Sequence, residues 1–306
     1  MRILNYGSMN IDYVYRVDRF VQPGETKPTK SLMVNCGGKG LNQSIAAARA
    51  GNTVLHAGLL GTDGQMLRDK LAENGVDTAL LLPADTVSGH AIIEVDDAGQ
   101  NRILLYGGAN RALTKTQIQQ TLDAFGSEGL VLLQNEVNLV GTIMREAKAR
   151  GLLVAFNAAP MDEAIREYPL ELIDYLIVNE NEGRAIANCE RDEDILPILA
   201  KRYPRCGILL TLGKRGALFT RSGRGAMIGA CDVRAVDTTA AGDTFSGYFL
   251  YGMLNALSVQ DSLRLATAAS ALCVTRPGAS DSVPRRDEVD EALRNGTLAV
   301  PEAKTL

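Results

Sequence analysis

The chain has 306 residues, 46% of them hydrophobic, and a formal charge of -4. That is enough apolar material for one substantial core, and it excludes a small module or a disordered tail. No block of like charges gives a reason to expect nucleic acid or a membrane surface as partner, so a small molecule is expected. Five cysteines, at 36, 189, 206, 231 and 273, show no CxxC spacing and by their odd number cannot all pair within one chain, which points to the reducing cytoplasm. His56 and His90 are the two histidines, neither with a metal-ligand partner at usable spacing, and both read as structural or surface residues.

The first residues, Met1 to Gly7, read as a strand entering a turn rather than as a signal peptide, and no apolar run approaches the ~20 residues of a membrane span. Beyond them, strand-like apolar runs are predicted over 54–60, 130–133, 152–156, 176–178 and 208–212. Amphipathic helices are predicted over 41–49, 64–73, 115–122, 139–149, 181–187, 245–254 and 262–274. Their alternation argues for an α/β fold around a largely parallel sheet. Two stretches, 13–34 and 89–106, carry short β-type alternation instead and predict a small β appendage woven into a single unit spanning 1–306.

The segment from Ala235 to Gly247 joins a strand-like stretch to a strongly apolar helix. Small residues at Ala240, Ala241 and Gly242 let helix-start amides approach an anion, and Asp243 beside them is placed to take a proton from an attacking hydroxyl. As lone residues, Asp237 and Asp243 could equally be helix caps. The Gly-rich run Asn35-Cys36-Gly37-Gly38-Lys39-Gly40-Leu41-Asn42-Gln43 is neither a Walker A nor a GxGxxG pattern, and alone could be a packing turn. Asn10 and Asp12 could be Asx-turn residues, Glu136 at the end of a buried-type strand a loop carboxylate, and Asn179 with Glu182 a capping box.

Taken together, Asp237-Thr238-Thr239-Ala240-Ala241-Gly242-Asp243 resembles the second signature, DTxGAGD, of the ribokinase-like (PfkB) carbohydrate kinases, with Ala240 in place of Gly. The Gly37-Gly38-Lys39-Gly40 turn resembles the family's other signature, and the likeness runs in order along essentially the whole chain. It implies a three-layer α/β/α sandwich with a mostly parallel central sheet and a small β-sheet lid. It also implies ATP-dependent phosphorylation of a sugar's terminal hydroxyl, with D-ribose leading and another sugar or a nucleoside open, because Leu41 and Asn157-Ala158-Ala159-Pro160 depart from common ribokinase residues.

Carried over by position, Asp243 is the base and the amides of Ala240, Ala241 and Gly242 form the anion hole. Asn10, Asp12, Gly38, Lys39, Asn42 and Glu136 meet the sugar, and Thr211, Gly213, Gly216, Gly242 and Thr267 meet ATP together with Asn179. Asn179 and Glu182 act on Mg²⁺ through water. Asp237, Thr239, Cys273, Arg276, Gly278 and Ser282 are matched to a loop that holds a monovalent cation, K⁺, in ribokinases. The resemblance also implies a homodimer paired through the lid. A nicotinamide-dependent oxidoreductase is disfavoured by the missing GxGxxG with an acidic residue ~20 positions on, and a non-catalytic sugar-binding regulator by the presence of Asp243.

Overall fold

The computed structural model describes residues 1–306. The first part of the chain comprises β1 (Ile3–Tyr6), β2 (Asn10–Arg16), β3 (Ser31–Gly37), α1 (Lys39–Arg49), β4 (Val54–Leu60), α2 (Gln65–Glu73), β5 (Leu81–Pro83), β6 (Gly89–Val95) and β7 (Asn101–Tyr106). There follow α3 (Lys115–Phe125), β8 (Leu130–Gln134), α4 (Val140–Ala149), β9 (Leu153–Asn157), β10 (Tyr175–Asn179), α5 (Glu180–Ala187), α6 (Asp192–Arg202) and β11 (Gly207–Thr211). The last part holds β12 (Ala217–Arg221), β13 (Arg224–Ile228), α7 (Ala241–Leu254), α8 (Val259–Val274), α9 (Arg286–Asn295) and β14 (Lys304–Thr305).

Ten strands form one sheet in the order β14-β13-β12-β11-β10-β9-β8-β1-β4-β5. From β11 to β5 every neighbouring pair is parallel, and β12, β13 and β14 close the far edge antiparallel. The parallel strands are apolar on both faces, as in Leu130–Gln134, where every residue is buried, so the sheet must be covered on both sides. One face packs Leu41, Ile45, Phe245, Phe249 and Leu263 from α1, α7 and α8. The other packs Ile118, Leu122, Ile143, Met144 and Leu199 from α3, α4 and α6. These are the three layers expected.

The small β-sheet is also present, as four strands in the order β3-β2-β6-β7. Its outer pairs are antiparallel and its central pair, β2 with β6, is parallel. The lid strands begin earlier and end later than the alternation at 13–34 predicts, reaching Asn10 at one end and Gly37 at the other. Asn, Asp and Gly are poor strand formers, which hid the base of the lid. That extension matters: it makes the strand carrying Asn10 and Asp12 continuous with the lid, and β3 runs directly into α1. The helix α6 was hidden by Pro197 in its interior, and α9 by a charged sequence that buries only Val289 and Ala292.

Candidate active site

Several polar side chains collect at the carboxyl ends of adjacent parallel strands, where an open α/β sheet leaves its crevice. Gln134 ends β8, Asn157 ends β9, Asn179 ends β10 and Thr211 ends β11. Across the crevice lie the N-termini of α1 and α7, where first-turn amides lack the intrahelical acceptors of later turns. Two cavities, of about 560 and 220 Å³, adjoin there through Asn179, Thr211 and Gly242, and a third of about 170 Å³ lies beside Glu136.

Asp243 is the acid in the first turn of α7 and is 6% exposed. Asn42 Nδ2 donates to its Oδ2 at 3.2 Å and Gln43 Nε2 to its Oδ1 at 2.9 Å. The residue capping α7, Ala240, has φ 60° and ψ 7°, the left-handed conformation in which the family signature carries Gly. The anion-hole reading is sharpened here: the Ala241 amide donates to Thr238 O at 3.3 Å, whereas those of Ala240, Gly242 and Asp243 have no protein acceptor.

Lys39 opens α1 and lines the 220 Å³ cavity with Asp243, Asn179 and Glu182. The charge of Asp243 foremost, against the opposing effect of burial and with help from Glu136 and Glu182, raises its pKa, so the ammonium persists at neutral pH. Glu136 is not a solvated loop residue. Its Oε2 accepts the Lys39 N–H at 2.9 Å and the Ser8 hydroxyl, while Ser8 Oγ accepts the Gly40 N–H at 3.1 Å. Since Gly38 offers α1 no side-chain cap, Glu136 and Ser8 supply it from two other segments.

On the lid side, the 170 Å³ cavity is lined by Asn10, Glu136, Asn110, Arg111, Gly107 and Leu105. Asp12 stands two residues beyond Asn10 along β2, opposite Asn35 and Ala91. Burial, and then the charge of Glu136, push its carboxyl up to about 7. A Cβ at Gly37 would come 2.0 Å from Asp12 Oδ2, so the glycine there makes the room this carboxylate occupies. Leu41, a departure from the common ribokinase residue, is fully buried in the core and lines none of the three cavities.

Asn179, Thr211, Gly213, Gly216, Gly242 and Thr267, far apart in sequence, all line the 560 Å³ groove. Gly216 has φ 101° and its absent Cβ would stand 1.9 Å from Ile228 O, so no side chain fits at this wall. Thr267 Oγ1 is buried without a partner. Asn179 and Glu182 form a full capping box on α5: Asn179 Oδ1 accepts the Glu182 N–H at 3.0 Å, and Glu182 accepts from Asn179 N and Nδ2, both at 2.9 Å. Both readings of the pair are thus compatible, because the same box turns Glu182 into the cavity beside Lys39. Burial, foremost, raises the Glu182 pKa.

Asp237 ties two loops together. Its Oδ1 accepts from Thr239 N and Oγ1 at 2.9 and 2.6 Å, and its Oδ2 from Gly278 N at 3.0 Å. Burial opposes ionisation, but the Thr239 and Gly278 donors outweigh it and hold the carboxyl below its usual range. Ser282 Oγ donates to Ala279 O at 2.7 Å and meets Cys273 Sγ at 3.1 Å, and Arg276 pairs with Glu288 at 2.6 Å. Ser8, Gln43, Asn110 and Gln134 were not singled out from the sequence. The available signal was a polar side chain in an apolar buried run, as in Leu130–Gln134.

Fold and site together are those of an ATP-dependent sugar kinase. Residues 2–286 match the pfkB family carbohydrate kinases, and the chain belongs to that family. It is 35% identical to a ribokinase of Haemophilus influenzae, with 94% of this chain and 97% of that protein covered. Its fold superposes on a ribokinase of Thermotoga maritima with a TM-score of 0.86 at 33% identity, covering 96% and 99% of the two chains. For an Arabidopsis thaliana ribokinase complexed with ribose and ATP, the TM-score is 0.85 at 29% identity, covering 95% and 98%.

Proposed function

We propose that the chain transfers the terminal phosphoryl group of ATP to the 5-hydroxyl of D-ribose, giving ribose 5-phosphate, with Asp243 as the general base. The observation that carries this reading is Asp243 itself: a buried carboxylate at a helix start, beside unpartnered amides, in a cavity sharing Asn179, Thr211 and Gly242 with the long nucleotide groove. On the other side Glu136, bonded to the Lys39 N–H, leads to the lid cavity. Its lining of Asn10, Asn110, Arg111 and Glu136 offers both donors and acceptors, which suits the hydroxyls of a sugar.

In this mechanism Asp243 takes the proton of the hydroxyl as it attacks, and the amides of Gly242 and Asp243 meet the charge on the transferring group. Lys39 adds a fixed positive charge. Positioning and electrostatics supply most of the rate in such a transfer. Asn10, Asp12, Gly38, Asn42 and Glu136 orient the sugar, and Thr211, Gly213, Gly216 and Thr267 hold the nucleotide. The capped, cavity-facing carboxylate of Glu182 with Asn179 fits Mg²⁺ held through water; the ion, when bound, neutralises phosphate charge. The loops carrying Asp237, Thr239, Arg276, Gly278 and Ser282, with Cys273 at the end of α8, fit K⁺ held largely by backbone carbonyls, acting by fixing the anion-hole loop.

The lid excludes water when closed. Its exposed apolar surface, including Leu32 at 49%, Leu104 at 71% and Leu105 at 54%, supports a homodimer paired lid to lid. No helix is long and apolar enough to cross a membrane. All five cysteines are free thiols, which fits the proposed reducing cytoplasm.

The test is phosphate transfer from ATP-Mg²⁺ to ribose, 2-deoxyribose, fructose and adenosine, for the parent and for Asp243→Asn. Ribose should give the highest kcat/KM, and Asp243→Asn should fold but lose on the order of 10² to 10⁴ in kcat. Preference for another acceptor overturns the substrate, and near-normal turnover in Asp243→Asn overturns the base.

A further inference from the structure

Asp243 is joined, through Gln43, to a chain of side chains in the interior of the protein. Asn5, Gln43, Ser44 and His56 are fully buried and Gln134 is 1% exposed, so water does not compete for their hydrogen bonds. Gln43 Nε2 donates to Asp243 Oδ1 at 2.9 Å, and Gln134 Nε2 lies 2.7 Å from Gln43 Oε1 and 3.0 Å from Asn5 Oδ1. Asn5 Nδ2 in turn reaches Gly40 O at 2.7 Å and Ser44 Oγ at 2.8 Å.

The direction of every bond follows from its two ends. An ionised carboxylate only accepts, so Gln43 must present its NH₂ to Asp243 and its oxygen to Gln134. A backbone carbonyl only accepts, so Asn5 must present its NH₂ to Gly40 and its oxygen to Gln134 as well. Gln134 is left with one workable orientation: its NH₂ serves both oxygens, and turning the amide over would set oxygen against oxygen twice. At the far end Gly7 O only accepts, so His56 carries its proton on Nε2, 3.2 Å away, and its bare Nδ1 takes the Ser44 hydroxyl proton at 2.7 Å, which leaves Ser44 Oγ to accept from Asn5. Burial holds the His56 pKa down at about 4, so this end of the chain stays neutral and does not reverse at working pH.

We propose that Gln43, locked by Gln134, is a positioning residue for Asp243: it fixes the rotation of the carboxylate so that a lone pair faces the attacking hydroxyl, without touching sugar or nucleotide itself. This rests on the reading of Asp243 as the base. Asn42 grips the second oxygen at a longer 3.2 Å and is itself a sugar-binding candidate, so a sugar that engages Asn42 loosens that grip and leaves Gln43 as the constant restraint. A base misaimed by a small rotation loses rate while binding persists, which separates this role from a structural one.

The experiment compares the parent with Gln43→Leu, Gln43→Glu and Asp243→Asn in steady-state ribose phosphorylation. Gln43→Leu keeps the size and removes the donor; kcat should fall about 10- to 100-fold, the usual scale for a hydrogen bond to a charged group. The KM values for ribose and ATP should stay within about twofold, since neither ligand touches Gln43. Gln43→Glu keeps the shape but cannot donate unless protonated, so its kcat relative to the parent should rise as the pH is lowered from about 8 to about 5.5. Should Gln43→Leu fail to fold, Gln43→Glu carries the test through that profile. Parent-like kcat in Gln43→Leu, losses confined to KM, or a flat ratio for Gln43→Glu overturns the positioning role. If Asp243→Asn is inactive while both Gln43 variants are parent-like, only this inference fails; if Asp243→Asn retains turnover, the reading of the base fails first.

Discussion

Asn110 Nδ2 donates to Asn10 Oδ1 at 2.8 Å, and the same Asn110 side chain bonds both the N–H and the C=O of Met9, at 3.0 and 3.1 Å. Asn110 thus clamps the base of the lid strand and turns Asn10 in the lid cavity. In Asn110→Ala these bonds are lost together, and the ribose KM should rise about tenfold, in line with one to two neutral hydrogen bonds. The ATP KM should be unchanged. Equal ribose KM values in a folded Asn110→Ala would remove the clamp from the sugar site.

If Asp12 binds sugar as proposed, the hold on ribose should depend on pH. Its carboxyl is raised to about 7 by burial and by Glu136, so in the free enzyme the neutral acid prevails below that pH. A raised carboxyl is a cost to the ionised folded state: the associated stability is present at low pH and is lost as the pH rises toward about 7. Sugar hydroxyls donate best to the ionised form. The ribose KM should therefore fall as the pH rises through about 7, and Asp12→Asn should raise KM and flatten its pH dependence. Parallel profiles for the two proteins would assign the titration elsewhere.

Ala240 holds a left-handed conformation at φ 60°. For a residue with a Cβ this costs about 1–2 kcal/mol, of which glycine would return about 0.4–1 kcal/mol to the unfolded chain's entropy. Ala240→Gly should accordingly be more stable by about 0.5–1 kcal/mol in denaturant unfolding. A loss of stability would mean that the methyl group packs usefully, as its 9% exposure permits. Ala240→Val should be destabilised and slow, because β-branching makes the left-handed region costlier still.

Lys39 is the positive charge that Asp243, Glu136 and Glu182 share. Replacing it by Met leaves the Asp243 and Glu182 carboxylates in their cavity without its counter-charge. The kcat of Lys39→Met should fall on the order of 10²-fold, the scale of losing one electrostatic stabiliser, and its ATP KM should rise. Turnover within about threefold of the parent would exclude Lys39 from the transfer step.

Asp237 gives the cation reading its own check. With K⁺ replaced by a bulky organic cation at constant ionic strength, the parent's kcat should drop, and Asp237→Ala should be slow and indifferent to the exchange. A parent insensitive to K⁺ would leave Asp237 as a bond between two loops only, through Thr239 and Gly278.

The sequence by itself determined the class of fold and the order of the chemical segments. Apolar runs buried on both faces, such as Leu130–Gln134, admit only a covered parallel sheet. Asp243 and Asn42 stand in short motifs whose spacing survives in one dimension, and Glu136 stands at the end of an apolar strand-like run. Tertiary structure alone decided what lies between those segments. Gln43 reaches Asp243 from 200 residues away and Asn110 reaches Asn10 from 100, so no local period records either contact. Both are single amides in apolar or turn sequence, and the direction of their hydrogen bonds is set by acceptors on other elements. Ala240 shows the same division: its place in the signature was plain in the sequence, while its left-handed backbone followed from closing the loop onto α7. Local patterns record a residue's type and spacing, whereas a buried polar group takes its role from the partners that folding brings to it.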